Sequence, residues 1–159
     1  MKQWAIVPAG LALVSSFAAS PSHAFGMSDG GGRVGFLSPD AGDGGVALGA
    51  HVELEQAGSH WHLQPNVLYW NGDPLSGFDA NLDAFYHFGM ETRTTPYLGG
   101  GVGLSIVDLS GSGGSNSDPA GNMFGGVRFP AGKNHLFLEG RYTFSDVNQA
   151  SITFGATFH

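Results

Sequence analysis

Pro96-Tyr97-Leu98-Gly99-Gly100-Gly101-Val102-Gly103-Leu104-Ser105-Ile106-Val107 alternates with period two. Pro96, Leu98, Val102, Leu104 and Ile106 fall on one face, with Gly100 among them. Tyr97, Gly99, Gly101, Gly103, Ser105 and Val107 fall on the other. A strand sends successive side chains to opposite faces, so this segment reads as a strand with one apolar face and one mostly small or polar face. A soluble sandwich would turn the apolar face inward. In a chain that is exported and collects its charges on the second face, the reverse arrangement fits: apolar outward to lipid, polar inward to a lumen.

The same pattern recurs along the chain. Turn-forming clusters divide it into eight candidate strands: Arg33–Leu37, Gly45–Glu55, Trp61–Trp70, Gly77–Phe88, Pro96–Val107, Gly121–Phe129, His135–Phe144 and Ser151–Phe158. All but the first are eight to twelve residues long, close to the ~9–11 that a tilted strand needs to cross a bilayer. In Gly77–Phe88, for example, Phe78, Ala80, Leu82, Ala84, Tyr86 and Phe88 oppose Asp79, Asn81, Asp83, Phe85 and His87. Only Gly121–Phe129 breaks the pattern, because Phe124 shares a face with Asn122 and Arg128. Trp61, Tyr69, Phe78, Tyr86, Phe88, Tyr142, Phe144 and Phe158 gather towards strand ends on the apolar face, where a membrane barrel places its aromatic girdles. The fold expected is an all-β, eight-stranded antiparallel up-and-down transmembrane barrel. A closed barrel is required because open strand edges do not survive in hydrocarbon.

Residues 1–24 read as a cleavable secretory signal. Lys2 supplies the positive start, Ala5 to Ala19 is uncharged and apolar, and Ser22-His23-Ala24 resembles a small-residue cleavage site. One domain, 25–159, then remains. Removing Lys2 leaves Arg33, Arg93, Arg128, Lys133 and Arg141 against 13 acids, taking the formal charge from −7 to −8. Such a chain is unsuited to binding nucleic acid. It has no cysteine and hence no disulfide framework, and its 27 glycines follow no fixed repeat. With a periplasmic N-terminus, Ser38–Gly44, Asn71–Ser76, Asp108–Ala120 and Ser145–Ala150 would face outside. The Gly- and Ser-rich run Ser110–Ser117 is expected to be mobile.

Three segments carry a resemblance to a known group. Thr95-Pro96-Tyr97-Leu98-Gly99-Gly100-Gly101-Val102-Gly103 resembles the Pro-Tyr-x-Gly-x-Gly-x-Gly strand of small outer-membrane β-barrel domains of the OmpA-, OmpX- and OmpW-like group. Glu139-Gly140-Arg141-Tyr142-Thr143-Phe144 resembles that group's penultimate strand, and Ser151–Phe158 its last, although here the final aromatic is followed by His159. The resemblance spans the chain beyond residue 24. It implies residence in the cell outer membrane and contact with the assembly machinery that reads the terminal aromatic. The group is diverse in role, so the resemblance does not specify an activity.

The alternation places Arg33, Arg128 and Arg141 in the lumen beside Glu53, Glu55, Asp79, Asp83 and Glu139, with His51 and His87 on the same side. An eight-stranded tube is only just wide enough for its side chains. Its charges are therefore expected to pair in a network that plugs it. The alternative is a narrow porin-like channel for ions or small solutes, with room beside the network supplied by lumen glycines. His51, His62 and His87 lie on neighbouring strands near Glu53 or Asp83 and could approach one another as zinc ligands do, but barrel-lining histidines ordinarily hydrogen-bond, and no metal or cofactor is expected. Catalysis is not expected either: Ser59-His60 lacks an evident acid partner, and adjacent strand residues point to opposite faces. A soluble lipocalin-like barrel, apolar inside, is a third reading. The expectation is thus a monomeric membrane protein with a structural or surface-interaction role, whose partners are outer-membrane lipid and the assembly machinery.

Overall fold

The computed structural model describes residues 26–55, 58–89, 93–109 and 114–159. The segment read as a signal, residues 1–24, lies outside the described residues. Eight strands follow in order: β1 Gly26–Pro39, β2 Asp43–Glu55, β3 Trp61–Asp73, β4 Leu75–His87, β5 Thr95–Leu109, β6 Ser115–Ala131, β7 Asn134–Phe144 and β8 Gln149–Phe158. Each pairs antiparallel with its neighbour in sequence, and β8 returns to β1, closing the barrel.

Closure explains where the strands exceed their expected limits. β1 begins at Gly26 rather than Arg33, and β6 at Ser115 rather than Gly121. Gly30, Gly31 and Gly32 carry no hydrophobic period, yet they pair with Phe158, Thr157 and Ala156 of β8. Ser115 to Ser117 pair with Asp108 to Ile106 of β5. In a closed sheet every backbone N–H and C=O has a partner waiting, which outweighs the weak strand preference of glycine and serine. The connections at this end are correspondingly short: Asp40–Gly42, Pro74 alone, 110–114 and Ser145–Asn148. Of the run expected to be mobile, Ser115–Ser117 is strand and 110–113 lies outside the described residues. Gly42, at φ +85°, lets the first of these connections turn in three residues. We call this the loop end; the opposite turn end carries Gly26 and His159, the first and last described residues.

The two surfaces of the sheet have opposite polarity. Val102, Ile152, Leu98, Val46, Phe36, Leu48, Leu104 and Leu82 are among the large apolar side chains exposed on the outside. Inside, Glu53 and Asp83 are 0% exposed and Asp79 and Glu139 2%. A lipocalin-like barrel would have the reverse polarity, so that reading is excluded. Trp61, Tyr86, Phe88, Phe129 and Phe158 ring the outside near the turn end, and Phe36, Tyr69, Phe78 and Phe144 near the loop end, while Phe154 lies mid-strand. Phe124 faces the lumen with Asn122 and Arg128, so β6 alternates like the rest.

The seam between β2 and β3 is unusual. Its register shifts between Asp43 and Val46 and is constant from Val46 to Glu55, but within that stretch pairing lapses between His51↔Asn66 and Leu54↔Leu63. Pro65, the residue facing Val52 in that register, has no N–H to give.

Candidate functional site

The lumen-facing side chains are arranged in layers along the barrel axis. At the loop end Leu37, Ala47, Leu68 and Trp70 form a buried apolar cluster. Below it Ser105 Oγ donates to Asp79 Oδ1 at 2.6 Å and receives Gln149 Nε2 at 3.2 Å. At mid-barrel lies the charged layer. Near the turn end Phe85, Tyr97, Phe124 and Phe137 form a second cluster.

Glu139 organises the charged layer. Its carboxylate accepts from Arg33 Nη1 at 2.8 Å, Arg141 Nη2 at 3.1 Å and Nε at 3.2 Å, and the Tyr97 hydroxyl at 3.0 Å. Arg141 Nη2 also donates to Asp83 Oδ2 at 2.7 Å, an oxygen shared with Asn66 Nδ2 at 2.7 Å. An amide relay continues through Asn66, Asn81 and Asn122. Arg33 Nη2 reaches Gln64 at 2.8 Å, and Gln64 Nε2 reaches Glu53 at 3.4 Å. Glu53 is gripped by both terminal nitrogens of Arg128. The network thus crosses from β1 to β7 and ties strands all around the tube. Charges this deep are tolerable only when paired and hydrogen-bonded.

Aromatic rings complete the guanidinium sites. Arg141 lies 4.3 Å from the Phe124 centroid and Arg33 5.3 Å from that of Phe137, so the cations pair with carboxylates at their edges and with π faces above or below.

Of the ten candidate residues, Arg33, Glu53, Asp83, Arg128, Glu139 and Arg141 enter this layer directly. Asp79 belongs to the separate Ser105–Gln149 cluster. His51 bonds Thr157 at 3.2 Å and stands 3.9 Å from Glu53. His87 stacks on His62, with its Nε2 buried and without a hydrogen-bond partner. Glu55 is half-buried at the turn end, the last residue of β2. Sequence reasoning looked for ions and so passed over Gln64, Asn66, Asn81, Asn122, Tyr97, Ser105 and Gln149. Their presence on the polar face of alternating strands was the available signal. Among the described residues no group of three or more His, Cys, Asp or Glu side chains is arranged to hold a metal ion.

The lumen glycines are sockets rather than gaps. A Cβ on Gly101 would meet Asp83 Oδ1 at 2.1 Å, and one on Gly103 would meet Asn81 Oδ1 at 2.4 Å. At Gly155 it would meet the Phe137 ring at 2.3 Å, at Gly126 the Tyr97 ring at 2.6 Å, and at Gly77 the Trp70 ring at 2.6 Å. Each of these lumen side chains lies over a residue that has none.

Solved structures resemble this architecture closely in shape. The N-terminal β-barrel domain of Pseudomonas aeruginosa OprF superposes with a TM-score of 0.65 at 15% identity, covering 84% of this chain and 98% of that chain. The fold is that of a small outer-membrane β-barrel. Neisserial surface protein A gives 0.63 at 12% identity, over 84% of this chain and 98% of that one. Ail of Yersinia pestis, solved with the heparin analogue sucrose octasulfate, gives 0.58 at 16%, over 82% and 94%. No protein-family model matches the sequence, and no curated protein matches it. At these identities the likeness establishes the fold alone.

Proposed function

We propose that the protein is a monomeric, non-enzymatic integral barrel of the cell outer membrane, with a plugged lumen and a structural or surface-interaction role. The observation that carries this reading is the Glu139-centred network, which spans the tube between two buried apolar clusters. The apolar outer surface on every strand supports lipid as its surroundings. Phe158, exposed at the end of β8, is available to the assembly machinery.

Two features weigh against borrowed activities. Ser59 Oγ accepts the Trp61 N–H at 3.0 Å and His60 stacks on Tyr86, an arrangement that shapes a turn rather than a nucleophile–base pair. Binding of a polyanion, as in the Ail complex, would need basic groups. The loop end of this chain instead presents Asp40, Asp43, Asp73, Asp108, Asp118 and Asp146, and no Lys or Arg occurs from Val34 to Ser59, from Trp61 to Thr92 or from Thr94 to Val127.

The test is reconstitution into planar bilayers. A plugged barrel conducts little at neutral pH, fractionates with the outer membrane and migrates faster on a gel before boiling than after. A large, steady conductance would favour the narrow porin-like alternative, and recovery as a soluble periplasmic protein would overturn the membrane reading.

A further inference from the structure

The deep lumen carries one more carboxylate than it has guanidiniums. Among the described residues its acids are Glu53, Asp79, Asp83 and Glu139, each at most 2% exposed, and its buried cations are Arg33, Arg128 and Arg141. Glu53 pairs with Arg128, Asp83 with Arg141, and Glu139 with Arg33 and Arg141. Asp29, near the turn end, meets His159. Asp79 alone of the buried carboxylates has no cation within ion-pair distance. Arg141 acts on it from further off, but is already engaged by Asp83 and Glu139. A carboxylate this deep needs a compensating positive charge.

The groups around Asp79 are neutral and rich in oxygen. Ser105 Oγ lies 2.6 Å from Asp79 Oδ1, and the Gln149 carboxamide reaches Ser105 Oγ at 3.2 Å. Gln149 is 1% exposed, yet its Oε1 has no hydrogen-bond partner. A half-turn of the carboxamide exchanges its oxygen and nitrogen in place and brings Oε1 to the Ser105 side. Asp79, Ser105 and Gln149 then offer one charged and two neutral oxygens to a common point, the kind of donor set that suits a hard cation. A single carboxylate balances a single positive charge.

The strand register supplies a way in. Asp79, Ser105 and Asp118 are successive partners across β4, β5 and β6, and side chains directly opposed on one face have Cβ atoms about 4.5–5.5 Å apart. Asp118 is half-buried, and Asp146 stands beside it. The apolar cluster at this end is built on β1, β2 and β3, whereas Asp118 approaches Ser105 from β6. The acidic loop end around Asp118 concentrates cations at the head of this route.

We propose that Asp79, Ser105 and Gln149 form a binding site for one alkali-metal cation, entered from the loop end past Asp118. The charge balance rests on the plugged-lumen reading, because an open aqueous lumen would hydrate Asp79.

The experiment uses the full-length folded barrel at pH 7.5, with sodium chloride replacing N-methyl-D-glucamine chloride at constant ionic strength. Unfolding in urea from lipid vesicles is measured at each sodium concentration, and the Gln149 side-chain amide is followed by NMR in lipid nanodiscs. Once the site is filling, the unfolding constant should fall by up to about tenfold per tenfold rise in sodium, and the Gln149 signal should shift and saturate over the same range. Asp79→Asn keeps the shape, removes the charge and should abolish both responses. Asp43→Asn, which removes a loop-end acid outside the site, should retain them. No sodium response in the wild type would overturn the proposal, as would an equal response in Asp79→Asn. An Asp79 carboxyl ¹³C signal of the neutral acid, unmoved by sodium, would also overturn it, showing that a proton supplies the charge instead. If Asp79→Asn does not fold, the wild-type Gln149 and Asp79 signals decide. Planar-bilayer conductance separates the two readings: a large, steady conductance refutes the plug, whereas a closed barrel indifferent to sodium refutes the site alone.

Discussion

Replacing Glu139 with alanine should be among the most damaging single changes to the barrel. Three side chains converge on that carboxylate: Arg33, Arg141 and the Tyr97 hydroxyl. After Glu139→Ala, Arg33 retains Gln64, a neutral partner, and Arg141 retains Asp83. Tyr97 loses the carboxylate that accepts its hydroxyl proton, while only 5% exposed. Breaking a buried ion pair by removing one member costs about 3–5 kcal/mol, because the surviving charge stays desolvated. Asp83 compensates part of this at Arg141, but the stranded hydroxyl adds about 1–3 kcal/mol, so a loss of about 4 kcal/mol is expected. Equilibrium unfolding in urea from lipid vesicles measures it, with Glu139→Gln as control, since an amide retains hydrogen-bonding atoms and should lose less. Bilayer conductance should rise in the alanine variant as stability falls. A loss below about 1 kcal/mol with unchanged conductance would refute the view that Glu139 holds a closed network.

Three further substitutions probe other parts of the wall. Leu82→Arg puts a charge on the outer surface and should cost ~2–4 kcal/mol near the bilayer midplane, read by folding into vesicles; a cost near zero would mean that Leu82 does not face hydrocarbon. Gly155→Ala places a Cβ 2.3 Å from the Phe137 ring and 2.5 Å from the Gly32 carbonyl and should cost about 1–3 kcal/mol by overpacking, so a neutral result would show that the glycine is no socket. Pro65→Ala returns an N–H to the position opposite Val52, where the ladder lapses, and should stabilise the barrel by about 1 kcal/mol; destabilisation would contradict that account of the seam.

Much of this fold can be read from alternation alone, because a strand that is buried by lipid on one side and by a lumen on the other must sort its side chains with period two. The reading weakens wherever residues carry no polarity signal. Gly30 to Gly32 and Ser115 to Ser117 look like loop by composition and become strand because their partners on β8 and β5 are already in place. Phe124 looked like an exception to the pattern; it is the ring beneath Arg141, a role invisible without β7 beside β6. The identity of the lumen charges followed from their faces, but who pairs with whom did not. Arg33 meets Glu139 across 106 positions of sequence, and that meeting depends on the stagger at which the eight strands close. The glycines were ambiguous for the same reason, since only the neighbouring strand shows whether a missing side chain leaves a gap or a seat.

The most direct test of the inverted barrel uses its two described tryptophans. Trp61 is 55% exposed on the outer surface and Trp70 0% exposed inside. In vesicles of phospholipid brominated along the acyl chain, and with Trp4 replaced by phenylalanine throughout, the Trp70→Phe variant reports Trp61 alone and the Trp61→Phe variant reports Trp70 alone. Strong quenching of Trp61 with little quenching of Trp70 is the result expected of an apolar surface in lipid around a closed lumen; equal quenching of the two, or stronger quenching of Trp70, would contradict it.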